Sequence, residues 1–402
     1  MNQPILSIDV SKSNSYATAF LAYGQVFTSP ISFANTRQEI VIAFKLLKDL
    51  KKASGKQPRV VLEATGNFSK PLKYSFMKGG YEVIELNPIQ THKEKKRNIR
   101  KIKTDPIDTH RIAQVYYLNN FKPQANIPEE TAELKNLTRQ YESFNELHRE
   151  TQLKFMSLVD LIFPQYNEVF AKLCSITSLK VLSAFSTPED ILDADINQLK
   201  SILKISNHNQ KWIDNKVKEL MAAAKESLSY KVAQSSSIRV LKHYIELLLT
   251  QKAILKDLKT EITKYAKLSY AFPLLLSIPG VGKLTAASIT GEIGDIHRFP
   301  TTKQLTAYAG LDPSVYQSGR FKATNNKISK RGSTYLRKSL YQATTAAVRK
   351  VKVRPNNQLL YDYYNQKREQ GKPYKVAIIA TANKLLRTIY GVWKNNEMFK
   401  IK

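Results

Sequence analysis

Strand-length apolar runs precede any helical pattern in this chain, and strand and helix signals then alternate. That order confines the N-terminal part to a mixed α/β fold. Residues 4–10, 15–23 and 25–33 read as strands, with Gly24 at a tight turn. Residues 37–52 show helical spacing, 59–63 a strand, 68–78 a helix and 82–86 a strand, and an amphipathic stretch containing Asp108 follows.

The order βββαβαβα is that of an RNase H-like fold, in which the first strand carries an Asp, the fourth a Glu and a late helix further carboxylates. The acids fall at those places: Asp9 ends Ile5-Leu6-Ser7-Ile8, Glu63 ends Arg59-Val60-Val61-Leu62, and Asp105 and Asp108 open the last helix. Carboxylates at strand ends and one helical turn apart can converge. Hard divalent cations take such oxygen ligands, and paired metals can clamp the attacking and leaving oxygens of a phosphodiester. Taken singly, each acid has an ordinary reading. Asp9 can cap a turn with Ser11 and Lys12, and Asp105 can be an N-cap ahead of Pro106 at the first helical position. All four at the positions of one fold favour a Mg²⁺ (or Mn²⁺) site.

The chain carries 63 Lys+Arg against 33 Asp+Glu, a net charge of +30. Such an excess calls for a polyanionic partner, nucleic acid before an anionic membrane surface. No apolar run approaches the roughly 20 residues of a spanning helix, and Met1-Asn2-Gln3-Pro4 lacks the layout of a signal peptide. The single cysteine, Cys174, fits a reducing cytosol and excludes a thiolate zinc cluster. A basic run abuts the last two acids and offers Lys93, Lys95, Lys96, Arg97, Arg100, Lys101 and Lys103 to a phosphate backbone. Contacts of that kind position nucleic acid without reading its sequence.

From Pro128 to Phe163 the pattern is one long helix, with Leu134, Leu137, Tyr141, Phe144, Phe155, Leu158 and Ile162 in steps of three and four, interrupted by His148 and Thr151. A second run, Leu241, Tyr244, Leu248, Leu255, Leu258, Ile262 and Tyr265, keeps the same seam. The pair predicts a helical hairpin within the chain or a dimerising coiled coil. Residues 164–235 read as mostly helical and polar.

Further on, Ile278-Pro279-Gly280-Val281-Gly282-Lys283 resembles the turn of a helix-hairpin-helix, whose second helix can offer N–H groups to a phosphate near Gly280, Gly282 and Lys283. Ser318 precedes Gly319 and Arg320 in a polar stretch read as loop. A serine in such a setting is ordinarily part of a turn, yet an exposed hydroxyl beside a cation can also attack phosphorus once activated.

Together these segments resemble the DEDD-type insertion-sequence transposases, the insertion-sequence family numbered one hundred and ten, which includes the Piv and MooV DNA invertases. The matching residues are Asp9 in Ile8-Asp9-Val10-Ser11-Lys12, Glu63 in Glu63-Ala64-Thr65-Gly66, and Asp105 and Asp108 in Lys103-Thr104-Asp105-Pro106-Ile107-Asp108. In the second half they are Ile278-Pro279-Gly280-Val281-Gly282, Ala309-Gly310-Leu311-Asp312-Pro313, Ser318-Gly319, and Lys330-Arg331-Gly332-Ser333 with Leu336-Arg337. Thr109 departs from the family, which often has Ala there, and residues 170–240 carry no motif to compare.

The resemblance implies a RuvC-like domain over 1–125, a helical coiled-coil region over 126–268 and a mainly α transposase domain over 269–402. It implies a DNA recombinase of the bacterial cytoplasm whose four acids hold metal. Ser318 becomes linked to DNA through a phosphodiester, with Ser329 and Ser333 as alternatives. Arg320, Lys330, Arg331 and Arg337 would neutralise phosphate or contact the backbone. The implied partners are donor and target double-stranded DNA, a structured bridge RNA that guides pairing, and further copies of the chain as dimer or tetramer. Two rivals stand beside this reading: a Holliday-junction or RNase H-like endonuclease in which water attacks, and a DNA-architectural protein without catalysis.

Overall fold

The computed structural model describes residues 2–88, 91, 105–119, 121, 128–314, 317–318, 321–322 and 327–400, with backbone alone for Asp105, Pro106, Ser206, Gln317, Ser318, Phe321 and Lys322. It divides into two compact units, Met1–Asn126 and Ile127–Lys402.

In the first unit β1 (Ile5–Val10), β2 (Asn14–Ala22), β3 (Gln25–Val26), β4 (Ile31–Ala34), α1 (Ile40–Ser54), β5 (Arg59–Glu63), α2 (Ser69–Lys78), β6 (Val83–Leu86) and α3 (Asp105–Leu118) follow in order. The six-stranded sheet runs β3-β2-β1-β5-β6, with β4 also on β2. β1 is antiparallel to β2 and parallel to β5, and β5 is parallel to β6, a mixed sheet consistent with the RNase H-like order. The third strand expected over 25–33 is two short pieces, with Pro30 in the break. Proline has no N–H for a ladder, which confines it to edges and interruptions.

Alternation along β1 sorts its side chains between two layers. Leu6, Ile8 and Val10 pack with Ala43, Leu47, Leu50, Leu72 and Phe76 of α1 and α2. Ile5, with Val61 and Phe20, packs against Ile112, Ala113 and Tyr116 of α3. Polar links fix the placing of α3: the buried Ser7 Oγ donates to the Thr109 carbonyl at 2.6 Å, and the Thr18 and Thr109 hydroxyls pair at 2.7 Å. At the other end Tyr117 donates to the Gln3 carbonyl at 2.7 Å. α3 therefore runs antiparallel to β1, with its first turn at the end of the strand that carries Asp9. The threonine that departs from the family is accommodated by the hydroxyl of Thr18.

The second unit is helical: α4 (Glu129–Ile162), α5 (Tyr166–Val169), α6 (Ile176–Ala184), α7 (Pro188–Leu192), α8 (Ile196–Leu203), α9 (Gln210–Glu226), α10 (Gln234–Ala266), α11 (Ala271–Leu276), α12 (Lys283–Ile293), α13 (Thr302–Ala309), α14 (Thr334–Val348), α15 (Gln358–Glu369) and α16 (Tyr374–Lys394). Short two-stranded ribbons join β7 (Gln317–Ser318) to β8 (Phe321–Lys322) and β9 (Lys350–Val351) to β10 (Arg354–Pro355).

The helices α4 and α10 lie along each other within one chain, and their two ends belong to different cores. Leu134, Ile262 and Ala266 join the cluster of the C-terminal helices. Phe155, Val159, Leu241, Ile245 and Leu248 join Tyr166, Leu182, Ile213 and Leu220 of α5–α9 in a separate cluster. His148 and Thr151, which interrupt the apolar seam, form a buried polar layer between these cores. His148 Nδ1 lies 2.9 Å from Gln251 Oε1, and Gln251 Nε2 donates to Thr151 Oγ1 at 3.0 Å. A satisfied polar layer of this kind fixes helix register, because a slipped pairing would leave its members unpaired. Residues 164–235, read as polar, contain a true core. Their helices are short, and each contributes too few apolar residues to show a period.

Candidate metal-binding and strand-transfer site

The parallel register Ile8↔Leu62 makes Asp9 and Glu63 the next residues along β1 and β5. They stand at the ends of neighbouring strands, roughly 4.8 Å apart in the pairing direction. Both share the sheet face of Ile5, Ser7 and Val61, the face that α3 covers, and both are half-buried. Asp108 immediately precedes Thr109, the residue bonded to Ser7 and Thr18, so the first turn of α3 reaches the same face near the same strand ends. Asp108 is buried, and its Oδ1 accepts from Arg111 Nη1 at 2.7 Å, one turn along the helix.

The donor chemistry is all carboxylate, as a hard divalent cation requires. Among the described residues no three His, Cys, Asp or Glu side chains stand close enough together to hold an ion, and the Asp105 side chain lies outside them. Asp9 and Glu63 are positioned as neighbours, while Asp108 is engaged by Arg111. The basic run from Lys93 to Lys103 also lies outside the described residues, as do Gly319 and Arg320.

Ser318 belongs to a hairpin arm of the second unit, where a loop was expected. At the base of the arm the Ser329 N–H donates to the Asp312 carbonyl at 2.8 Å, the Ser314 N–H donates to the Lys327 carbonyl at 2.8 Å, and Pro313 bridges Ile328. Further out, Ser318 pairs with Phe321. The flanking motifs anchor this arm. The Lys330 N–H donates to the Gly310 carbonyl at 3.1 Å, the Ser333 N–H to the Tyr308 carbonyl at 2.7 Å, and Arg337 Nη1 to the Ala309 carbonyl at 3.1 Å. Arg337 thus holds the end of α13, and Lys330 and Arg331 remain exposed.

Gly332 makes that anchoring possible, since a Cβ there would stand 2.0 Å from the Tyr308 carbonyl oxygen and 2.5 Å from the Gly310 nitrogen. Both neighbours are backbone and cannot rotate away. Gly332→Ala is expected to destabilise the second unit by about 1–3 kcal/mol, the ordinary range for overpacking. Thermal unfolding would show it, and an unchanged midpoint would mean that the two segments part easily.

The other serines of this region are committed elsewhere. Ser333 caps α14 by accepting from the Leu336 N–H at 3.1 Å and donates to Glu292 Oε2 at 2.9 Å. Ser329 donates to Asp312 Oδ1 at 2.5 Å. Glu292 is the centre of a network that sequence reading missed. Its side chain is fully buried and receives Arg139 Nε at 2.5 Å and Arg139 Nη2 at 3.0 Å from α4. The bond to Glu292 raises the Arg139 pKa above its usual value, and the guanidinium lies 4.7 Å from the centre of the Tyr335 ring. The signal available was a lone acid inside the otherwise small and apolar helix α12.

The turn between α11 and α12 brings Gly280 to a φ of +98°, where an added Cβ would lie 2.4 Å from that of Ala347. Asn357 Nδ2 donates to the Pro279 carbonyl at 3.1 Å. These contacts set the β9–β10 ribbon beside the turn. Lys350, Lys352 and Arg354 add exposed charge there, a basic ribbon that had not been singled out from sequence.

Two transposase family models match the chain in series: the DEDD-type transposase model of IS110 over residues 6–164, and the Transposase IS116/IS110/IS902 family model over residues 273–365. The transposase for insertion sequence element IS1111A of Coxiella burnetii is 35% identical over 158 residues, 39% of this chain and 42% of that protein. The pilin gene-inverting protein of Moraxella lacunata is 34% identical over 134 residues, 33% of this chain and 40% of that one. The 44.8 kDa protein of insertion element IS116 from Streptomyces clavuligerus is 20% identical over 395 residues, covering 98% and 95% of the two chains. The likeness to the first two spans about two fifths of their lengths.

The DEDD-type transposase model spans the mixed sheet and the acids that end its adjacent parallel strands, and that match is to the DEDD class of transposases. Within that class the chain belongs to the IS110/IS116 family of insertion-sequence transposases. Among the described residues no helix is long and apolar enough to cross a membrane.

Proposed function

We propose that this chain mobilises its own insertion sequence as a metal-dependent recombinase that cuts and rejoins double-stranded DNA in the bacterial cytoplasm. The observation that carries this reading is the in-register placement of Asp9 and Glu63 at adjacent strand ends, beside the first turn of α3. Asp9, Glu63, Asp105 and Asp108 are the residues that would hold Mg²⁺ or Mn²⁺, Asp108 exchanging its bond to Arg111 for the ion. When bound, such a cation lowers the pKa of a coordinated hydroxyl and polarises the scissile phosphate.

Ser318 supplies the attacking hydroxyl in this proposal. Its support is the position on the outer part of the arm, together with the commitments of Ser329 to Asp312 and of Ser333 to Glu292 and the α14 N-terminus. In the step, Oγ loses its proton and forms a bond to phosphorus. The phosphorus–oxygen bond to the leaving sugar breaks, and that oxygen takes up a proton. Rejoining is the reverse attack by a new sugar hydroxyl, which frees the serine, so the strands exchange without hydrolysis. Lys93–Lys103, Gly280, Gly282, Lys283 and the cations Arg320, Lys330 and Arg331 would position the backbone. A bridge RNA and a dimer or tetramer of this chain complete the proposal, and the α4–α10 pair is the coiled-coil element such an assembly would use.

Trapping the reaction should leave protein covalently joined to a DNA end. Ser318→Ala should abolish the adduct and strand exchange while sparing DNA binding, because the change removes one oxygen and keeps the Cβ. An adduct that persists in Ser318→Ala but disappears in Ser329→Ala or Ser333→Ala would move the nucleophile. Free hydrolysed ends with no adduct in any variant would identify a water-using nuclease.

A further inference from the structure

We propose that Arg111 competes with the divalent cation for Asp108, and that this competition sets the cation concentration at which the site assembles. The inference rests on the reading of the four acids as a metal site, and it is independent of Ser318. Arg111 would act through Asp108 and touch no reacting atom.

The two side chains stand one turn apart on α3. Arg111 Nη1 donates to Asp108 Oδ1 at 2.7 Å, and the side chains are only 10% and 9% exposed. The other ion pairs described in this unit, Arg59–Glu82 and Lys73–Glu85, are more exposed and involve none of the four acids. Arg59 begins β5, at the opposite end from Glu63. Glu85 pairs with Leu62, on the sheet face toward α1 and α2. Arg111 is thus the cation that the fold presents to a proposed ligand, on the face where the acids gather.

The backbone on both sides of the pair is fixed. Thr109 is bonded to Ser7 and Thr18, and Ile112 and Ala113 pack with Ile5 and Phe20. The turn of helix cannot retreat from the sheet. The guanidinium, carried on a flexible stem, is the part that can move.

Electrostatics makes the two cations alternatives. A carboxylate this buried is costly without a counter-charge, and Arg111 supplies one. A divalent ion on Asp108 would share that carboxylate with the guanidinium, and like charges so close and so little screened repel. Binding of the ion therefore includes the loss of a charge-assisted hydrogen bond. A bond of that kind is strong enough to shift a competing equilibrium by about tenfold or more. A neutral donor in place of Arg111 would still satisfy Asp108 but would not oppose the ion.

The test is thermal melting of the full chain without nucleic acid, first in EDTA and then across a titration of Mg²⁺ or Mn²⁺. A ligand that binds the folded form raises its melting temperature with concentration, so the midpoint of that rise reports affinity. Arg111→Gln should melt below the native chain in EDTA, because Asp108 has lost its counter-charge. Its metal midpoint should nevertheless fall by about tenfold or more. Arg111→Lys keeps a cation but not the planar fork of donors, and its midpoint should lie between the two. If Arg111→Gln does not fold, Arg111→Lys against the native chain carries the same comparison.

A native chain that responds to the cation, with the variant midpoints unchanged or raised, overturns the proposal and leaves the metal site standing. Unchanged midpoints would make Arg111 a packing residue, and raised ones would mean that it orients Asp108 for the ion. Melting that no cation raises, in the native chain and in both variants, would remove the metal-site reading and this inference with it.

Discussion

Asp9→Asn and Glu63→Gln are each expected to reduce strand cleavage by at least about a hundredfold, since misplacing the reacting groups alone costs that much. The same substitutions should leave the fold intact or slightly stabilised. Asp9 and Glu63 end adjacent strands on one face, and like charges in neighbouring strands destabilise a sheet. A cation that binds the folded form raises its stability by mass action. Mg²⁺ should therefore raise the melting temperature of the native chain and have little effect on either variant. Cleavage and melting together discriminate the causes: lost activity with a lowered melting temperature would indicate a structural role. Retained cleavage in both variants would remove the metal-site assignment.

The largest stability effect is expected at Arg139. Among the described residues, Arg139→Met would leave Glu292, whose side chain is fully buried, with the Ser333 hydroxyl at 2.9 Å and Lys135 at 3.9 Å. Removing one partner of a fully buried ion pair costs about 3–5 kcal/mol, because the remaining charge keeps its desolvation penalty; here Glu292 is buried and Arg139 is 38% exposed. The surviving contacts favour the lower end, about 3 kcal/mol. For a unit of this size that is a fall on the order of 10 °C in melting temperature. Replacing both partners, Arg139→Met with Glu292→Met, should recover most of the loss, since an apolar pair of similar volume carries no such penalty. A single variant that melts with the native chain would show that water reaches Glu292.

The elements most legible in the sequence were those that one local rule determines. β1, α1, β5, α2 and β6 follow from period and apolar content, and their order located Asp9 and Glu63 before any contact was known. The helix expected from Pro128 to Phe163 forms from Glu129 to Ile162, bounded by those same residues. What the sequence withheld depends on partners distant along the chain. His148 and Thr151 looked like defects in a seam because Gln251, a hundred residues away, completes them. The core of α5–α9 was hidden because no single short helix shows a period. Ser333 could be listed beside Ser318 only while its bond to Glu292, 41 residues earlier, was unknown. The segment Lys330-Arg331-Gly332-Ser333 stood only as a match to the family, whereas Gly332 is required by a backbone more than twenty residues upstream.

The polar layer in the middle of α4 and α10 has a dimensional consequence. A helix of 34 residues at 1.5 Å per residue is about 50 Å long, roughly one and a half turns of B-DNA at 34–36 Å each. His148, Thr151 and Gln251 bond in one alignment only, so the pair behaves as a gauge of set length, with a separate core at each end. Deleting seven residues from each helix would shorten the gauge by about 10 Å and preserve the facing seam. Deleting two would turn the apolar stripe away from its partner. The distance between the two cores is thus set by the length of the helices, and the alignment of the helices by three side chains.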